Sequence, residues 1–217
     1  MSYYTSLCDI YNIIDPRETP IHTEYMEEKI VYQGTILEMV ERHFERDGKT
    51  IVHERARRTP GSRTLILSGD GQVLLSREHR FEIDDYDYHL PGGKVFDRLT
   101  DYNDFLATEP DKKTLVKSAK RGAVLELKEE MGLTVLEDDL EFAYLSPCGS
   151  TVDWDLYYFI CRVKTTELGE QDLGSGENVE PVWLSTQEAY DIALDGTKMH
   201  EDRSAAFVLR SLAKILG

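Results

Sequence analysis

The segment that most constrains this chain is LELKEEMGL, residues 125–133. Glu126, Glu129 and Glu130 stand at i, i+3 and i+4, which places three carboxylates on one helix face. Like charges so placed repel one another, so helix stability alone gives no reason to cluster them. Leu125, Leu127 and Met131 make the same turns amphipathic, and Gly132 supplies a left-handed stop. Upstream, Thr108-Glu109-Pro110-Asp111 offers a cap, an early proline and a first-turn acid. One helix is therefore expected over about 111–131, with its acids gathered at the C-terminal end. The plain account of such an end is a solvated acidic face. The chemical account is a set of oxygen donors for a hard divalent cation.

Strand patterns lie on both sides of this helix. KIVYQGTILEMVERHF, KTIVHERAR, SRTLILSG and QVLLSREHR follow one another over residues 29–80. Gly34, Asp47-Gly48 and Gly69-Asp70-Gly71 punctuate them as antiparallel hairpins. LEFAYLS (140–146), WDLYYFICRV (154–163) and PVWLS (181–185) continue the pattern, with Tyr157, Tyr158 and Phe159 expected in the core. Closing helices are expected over about 185–194 and 201–216. Strands around one central helix, with helices at the end, make an α/β fold of the α+β sandwich kind. Residues 1–58 read as an antiparallel strand region suited to dimerisation, and 59–217 as the main domain. The polar run over about 94–110 reads as an excursion with at most one short helix.

Charge narrows the class of partner. Acidic residues number 41 against 25 Lys and Arg, a formal charge of −16. That balance is wrong for gripping a nucleic-acid backbone, which needs Lys and Arg to neutralise phosphates. Cys8, Cys148 and Cys161 show no metal-ligand spacing and suit a reducing compartment. His43, His53, His79, His89 and His200 form no HxH or HExxH pattern, so packing or surface roles are expected of them. The first residues lack the basic start and apolar run of a signal peptide, and no stretch approaches the roughly 20 apolar residues of a membrane helix. A cytoplasmic protein that does not engage membranes is expected.

Leu90-Pro91-Gly92-Gly93 precedes the acidic helix, and the combination of glycine loop and helix acids resembles the box of the Nudix hydrolases. That resemblance implies a mixed sheet between helices and a site for Mg2+ or Mn2+. By it, Glu126 and Glu130 are metal ligands, Glu129 is a ligand or a base, and the carbonyl of Gly92 or Gly93 completes the site. Tyr144-Leu145-Ser146-Pro147 resembles the ADP-ribose pyrophosphatase branch of the family, which implies Pro147 beside the substrate. The same branch implies Arg80 at the diphosphate, with Arg55 contributing from the N-terminal sheet. It also implies a catalytic loop acid, matched by Glu177 or, next, Glu180. Two positions depart from the pattern. Lys117 and Leu125 stand where the family carries a Glu–Arg pair that ties loop to helix, and losing both members removes the interaction without stranding a charge. Arg121 is the nearby candidate to orient a helix glutamate instead. The stretch between Gly93 and Glu126 is also longer than the family's, implying an insertion at about 94–110.

The expected activity is metal-dependent hydrolysis of the diphosphate of a nucleotide sugar, ADP-ribose giving AMP and ribose 5-phosphate, by a homodimer. The alternative is a non-catalytic sensor of the same fold that binds a nucleotide metabolite.

Overall fold

The computed structural model describes residues 26–174 and 176–217. Cys8 and the first 25 residues of the expected N-terminal region lie outside the described residues. Strands β1 (Glu27–Gln33), β2 (Leu37–Arg46) and β3 (Lys49–Arg58) form an antiparallel meander. Asp47 and Gly48, between β2 and β3, both take positive φ (54° and 69°). That pairing is what a two-residue hairpin turn matched to strand twist requires.

Six more strands build a second, mixed sheet: β4 (Gly61–Ser68), β5 (Gln72–Arg80), β6 (Asp85–His89), β7 (Leu140–Ser146), β9 (Leu156–Val163) and β10 (Val179–Ser185). Its order is β10-β5-β4-β9-β7, with β6 added against β5. β4 and β9 run parallel, and the other pairs are antiparallel. The two-residue strand β8 (Val152–Asp153) leaves this region and joins β3 in the first sheet.

Alternation along the central strands sorts side chains to two faces. Ile66, Tyr157, Phe159 and Cys161 turn toward helix α2 (Lys112–Met131) and meet its buried stripe of Ala119, Ala123, Leu127 and Met131. Leu65, Leu67, Tyr158 and Ile160 turn the other way, onto α3 (Thr186–Leu194) and α4 (Asp202–Leu216). The sheet is thus sandwiched between helices, as expected from the sequence. Full burial of a side chain such as Leu127 contributes about 1.5–3 kcal/mol, so this stripe fixes the rotation of α2 and hence where its acids point.

Several details differ from expectation. Asp111, not Thr108, caps α2, accepting a hydrogen bond from the Thr114 amide (2.7 Å). Leu125 is 53% exposed, so the apolar stripe runs through Ala119, Ala123, Leu127 and Met131 without it. The run after Gly93 contains a helix, α1 (Leu99–Leu106). Phe96 clusters with Tyr102 and Phe105, and the Asn103 amide donates to both oxygens of Glu38 (3.2 and 3.1 Å). The insertion therefore docks on the first sheet of its own chain. Among the described residues, no helix is long and apolar enough to cross a membrane.

Candidate functional site

The glycine loop reaches the acidic helix because the start of β4 holds it there. The Thr64 amide donates to Pro91 O, the Ser62 amide to Gly93 O and the Val95 amide to Pro60 O, each at 2.9 Å. Side chains would not fit in this loop. A Cβ at Gly92 (φ 144°) would lie 2.2 Å from Ser62 O, and one at Gly93 would lie 1.8 Å from Glu126 Oε1. The Gly92 amide in turn donates to Glu130 Oε2 (3.3 Å). Loop and helix thus approach as closely as glycine permits.

The other side of the helix end is closed by the segment before β10. A helix leaves its last carbonyls unpaired. Here the Asp172 amide donates to Glu129 O and the Gly169 amide to Gly132 O, both at 2.9 Å. Gln171 Nε2 bridges Glu130 O and Val179 O. These tethers bring Glu177 to the same cleft, where its carboxylate accepts from the Gly174 amide (2.7 Å).

The electrostatics are those of a site short of positive charge. Burial, then the nearby charge of Glu126, pushes Glu130 up to about 8. Burial, followed by the charges of Glu129 and Glu177, pushes Glu126 up to about 7. Arg63 acts on both in the opposite sense and does not offset these effects. Four carboxylates therefore share one field, with Glu126 and Glu130 partly buried and Glu129 and Glu177 exposed. Among the described residues, no three such side chains stand close enough together to hold a metal ion as placed. The donor set is nonetheless the chemistry a hard divalent cation takes: carboxylate oxygens without a cationic partner, beside a loop carbonyl. Of the two glycine carbonyls, Gly93's already accepts from the Ser62 amide, which leaves Gly92's the freer.

A cavity of about 660 Å³ opens beside this cluster. Gly92, Glu130 and Glu177 line one part of it. Arg63 and Arg80 also line it, but neither is idle. Glu201 Oε2 holds Arg63 at Nε and Nη2 (2.8 Å each), and Arg80 Nη2 lies 3.0 Å from Glu78 Oε2.

The structure gathers Glu126, Glu129, Glu130, Gly92, Gly93, Glu177 and Arg80, and places the other candidates elsewhere. Glu180 lies outside the cavity, paired with Arg77 (2.5 Å), the residue opposite it in the β10–β5 register. Arg55 is bound to Asp153 in the first sheet. Pro147 is exposed beyond the end of β7 and does not line the cavity. Arg121 reaches Glu137 (3.7 Å) rather than a helix glutamate. Lys117 and Leu125 both face solvent.

Arg63, Asp87, His89, His200 and Glu201 line the cavity and were not singled out as site residues from the sequence. Strand parity carried part of the signal. Arg63 has the same strand parity as the buried Leu65 and Leu67, so it had to face a packed side of the sheet.

The fold is an α+β sandwich with an acidic cleft at one helix end. A solved structure described as that of an ADP compounds hydrolase has a similar fold, with a TM-score of 0.59 over 89% of this chain and 95% of that one. Sequence identity is 21%, so the likeness carries the fold. No protein-family model matches the chain, and no curated protein sequence does.

Proposed function

We propose that this protein is a Nudix-type hydrolase that splits the diphosphate linkage of a nucleotide sugar, with ADP-ribose giving AMP and ribose 5-phosphate. The observation that carries it is the contact of Gly93 with Glu126, in which two partly buried acids without a cation are pressed against a loop that only glycine can form. That the neighbouring fold belongs to an ADP compounds hydrolase supports the nucleotide half of the reading.

Glu126, Glu129 and Glu130, with the Gly92 carbonyl, would hold Mg2+ or Mn2+. Such a cation, when bound, neutralises phosphate charge and lowers the pKa of a coordinated water. Glu177 accepts the proton of the attacking water, and its loop is tied to the end of α2 so that it stays within reach. Arg80, at the cavity wall, donates its planar fork to diphosphate oxygens. Water adds to one phosphorus as the bond to the bridging oxygen breaks, and each phosphate leaves on its own product.

The exposure of Lys117 and Leu125 favours a second reading, a sensor that has lost the tie between loop and helix. Against it, three backbone hydrogen bonds from β4 and its lead-in anchor the loop without that pair. We further propose a cytoplasmic homodimer joined through the first sheet, whose Ile30, Val31, Tyr32 and Val52 are exposed.

Purified protein incubated with ADP-ribose and Mg2+ should release AMP. Glu130→Gln should slow turnover by about 10²-fold or more, and EDTA should stop it. Gly93→Ala should cost about 10²-fold by displacing the Glu126 carboxylate about an ångström or more. Turnover indifferent to both EDTA and Glu130→Gln rejects the metal role. Tight binding of ADP-ribose without product favours the sensor.

A further inference from the structure

Around Trp154 the chain gathers positive charge, although its acidic residues outnumber Lys and Arg by 41 to 25. The guanidiniums of Arg58, the last residue of β3, and Arg203, in the first turn of α4, lie 4.4 and 4.6 Å from the centre of the Trp154 ring. Arg63 joins them from β4, and Arg63, Trp154 and Glu201 line the cavity. The start of α4 adds the partial positive charge of a helix N-terminus. Burial, then the charge of Arg63, lowers the Arg58 guanidinium from its ordinary value, with Glu201 acting against this and Arg203 for it.

The partners present account for few of these donors. Arg63 is held by Glu201 Oε2 and by Ser62 O. Arg203 Nη1 donates to the carbonyls of Ser146 (3.2 Å) and Trp154 (2.9 Å), which satisfy a donor and leave the charge uncompensated. The Arg58 guanidinium makes no hydrogen bond and no ion pair among the described residues, and its Nε is buried. Stacking on an indole uses the face of a guanidinium and leaves its in-plane N–H donors open. A half-buried guanidinium without an acceptor is costly, and an apolar side chain would cover Trp154 without that cost.

The chemistry of the cluster selects its occupant. Glu201 Oε1 is also buried and without a hydrogen bond. The missing group must therefore bring negative charge for Arg58 and Arg203, and an O–H donor for Glu201. Sulfate brings charge and no donor. A neutral sugar brings donors and no charge. Hydrogenphosphate brings both, and its oxygens match the planar fork of a guanidinium. A sugar phosphate brings the same pair, with the donor on its sugar.

We propose that Arg58, Arg63, Arg203 and Glu201 form a phosphate-binding site against Trp154, which takes a phosphate group with a hydroxyl donor beside it, as free hydrogenphosphate or as a sugar phosphate. Binding here needs neither a divalent cation nor hydrolysis, so it stands or falls apart from the reading above. It also lies apart from Arg80, which is paired with Glu78 (3.0 Å).

Trp154 and Trp183 are the two tryptophans of the chain, so Trp183→Phe leaves Trp154 as the reporter. In protein stripped of divalent cations, inorganic phosphate titrated at neutral pH and constant ionic strength should change its fluorescence with a Kd of about 1 mM or tighter. Calorimetry on the unsubstituted chain should give the same Kd. Sulfate should bind about 10-fold or more weakly, because it leaves Glu201 unpaired. Ribose 5-phosphate binding more tightly than phosphate identifies a sugar phosphate as the occupant, and binding more weakly identifies the free ion. Arg58→Gln and Arg203→Gln should each weaken phosphate by about 10-fold or more. Glu201→Gln should bring phosphate and sulfate to within about 3-fold of each other, and Arg80→Gln should leave phosphate affinity unchanged.

Thermal melting separates binding from packing. Without phosphate, Arg58→Gln should melt no lower than the wild type, because it removes an uncompensated charge. An Arg58→Gln variant that melts lower and still binds phosphate would show a side chain that only covers Trp154, which overturns the proposal. So does the absence of phosphate binding by both methods, sulfate bound as tightly as phosphate, or loss of binding in Arg80→Gln and not in Arg58→Gln. If Arg58→Gln does not fold, Arg203→Gln carries the comparison.

Discussion

In the first sheet, Glu38 is fully buried, and Arg57 meets it through Nε (2.6 Å) and Nη2 (2.5 Å) while its Nη1 reaches Glu28 (2.6 Å). Burial alone would push Glu28 up, but hydrogen bonds from Arg42 and Arg57 outweigh it and hold that carboxyl below its usual range. At the end of α2, Glu126 and Glu130 are also partly buried, and no lysine or arginine pairs with either among the described residues. Their carboxyls go up instead of down. Where acids serve only to tie strands together, this chain supplies arginines at matching positions. Where it withholds them, at Glu126 and Glu130, burial and mutual repulsion go uncompensated.

Three experiments sharpen or break this contrast. The largest effect is expected at the satisfied cluster. Arg57→Ala leaves Glu38 buried without its ion pair and should destabilise the protein by about 3–5 kcal/mol in urea unfolding. A cost below about 1 kcal/mol would mean that the network is not what holds the first sheet.

The second experiment reads the unsatisfied cluster through pH. Glu126 and Glu130 have folded-state values of about 7 and about 8, above the ordinary 4.5. Their favourable contribution is therefore complete below about pH 4.5 and is lost as pH rises through 7 to 8. In EDTA, wild-type protein should lose about 1–3 kcal/mol between pH 5 and 9 relative to Glu130→Gln. Adding Mg2+ at pH 8 should restore the wild type and not the variant. Parallel pH profiles for the two proteins would remove the contrast altogether.

The smallest effect is expected at the exposed pair. Arg77→Ala, which frees Glu180 on the outer face of the β10–β5 pair, should cost less than about 1 kcal/mol by thermal melting and leave AMP release intact. A large loss of activity would return Glu180 to the site.

Local rules made much of the molecule legible in its residues. Helix α2 could be read from its apolar stripe, its proline-acid start and Gly132, which closes it at φ 62°, because helix periodicity and end chemistry act within a few residues. Asp47-Gly48 marked its hairpin for the same reason. The three acids could be placed on one face from their spacing alone. Strand β6 was missed because DYDYH is polar and gains its pairing only from β5. β8 was missed because two residues carry no period. Glu180 went to Arg77 because strand parity and register, which no single segment states, put it across from that residue.

By itself the chain determined an acidic helix end, the glycine loop before it and the strands that would flank both. The reason is that 3.6- and 2-residue periods and positive-φ turns are properties of neighbouring residues. Only the tertiary structure decided which acids remain without a cation and that His89, His200, Asp87 and Arg63 share one cavity. Those residues come from distant segments, and burial and charge arise from what surrounds a side chain, not from its place in the sequence.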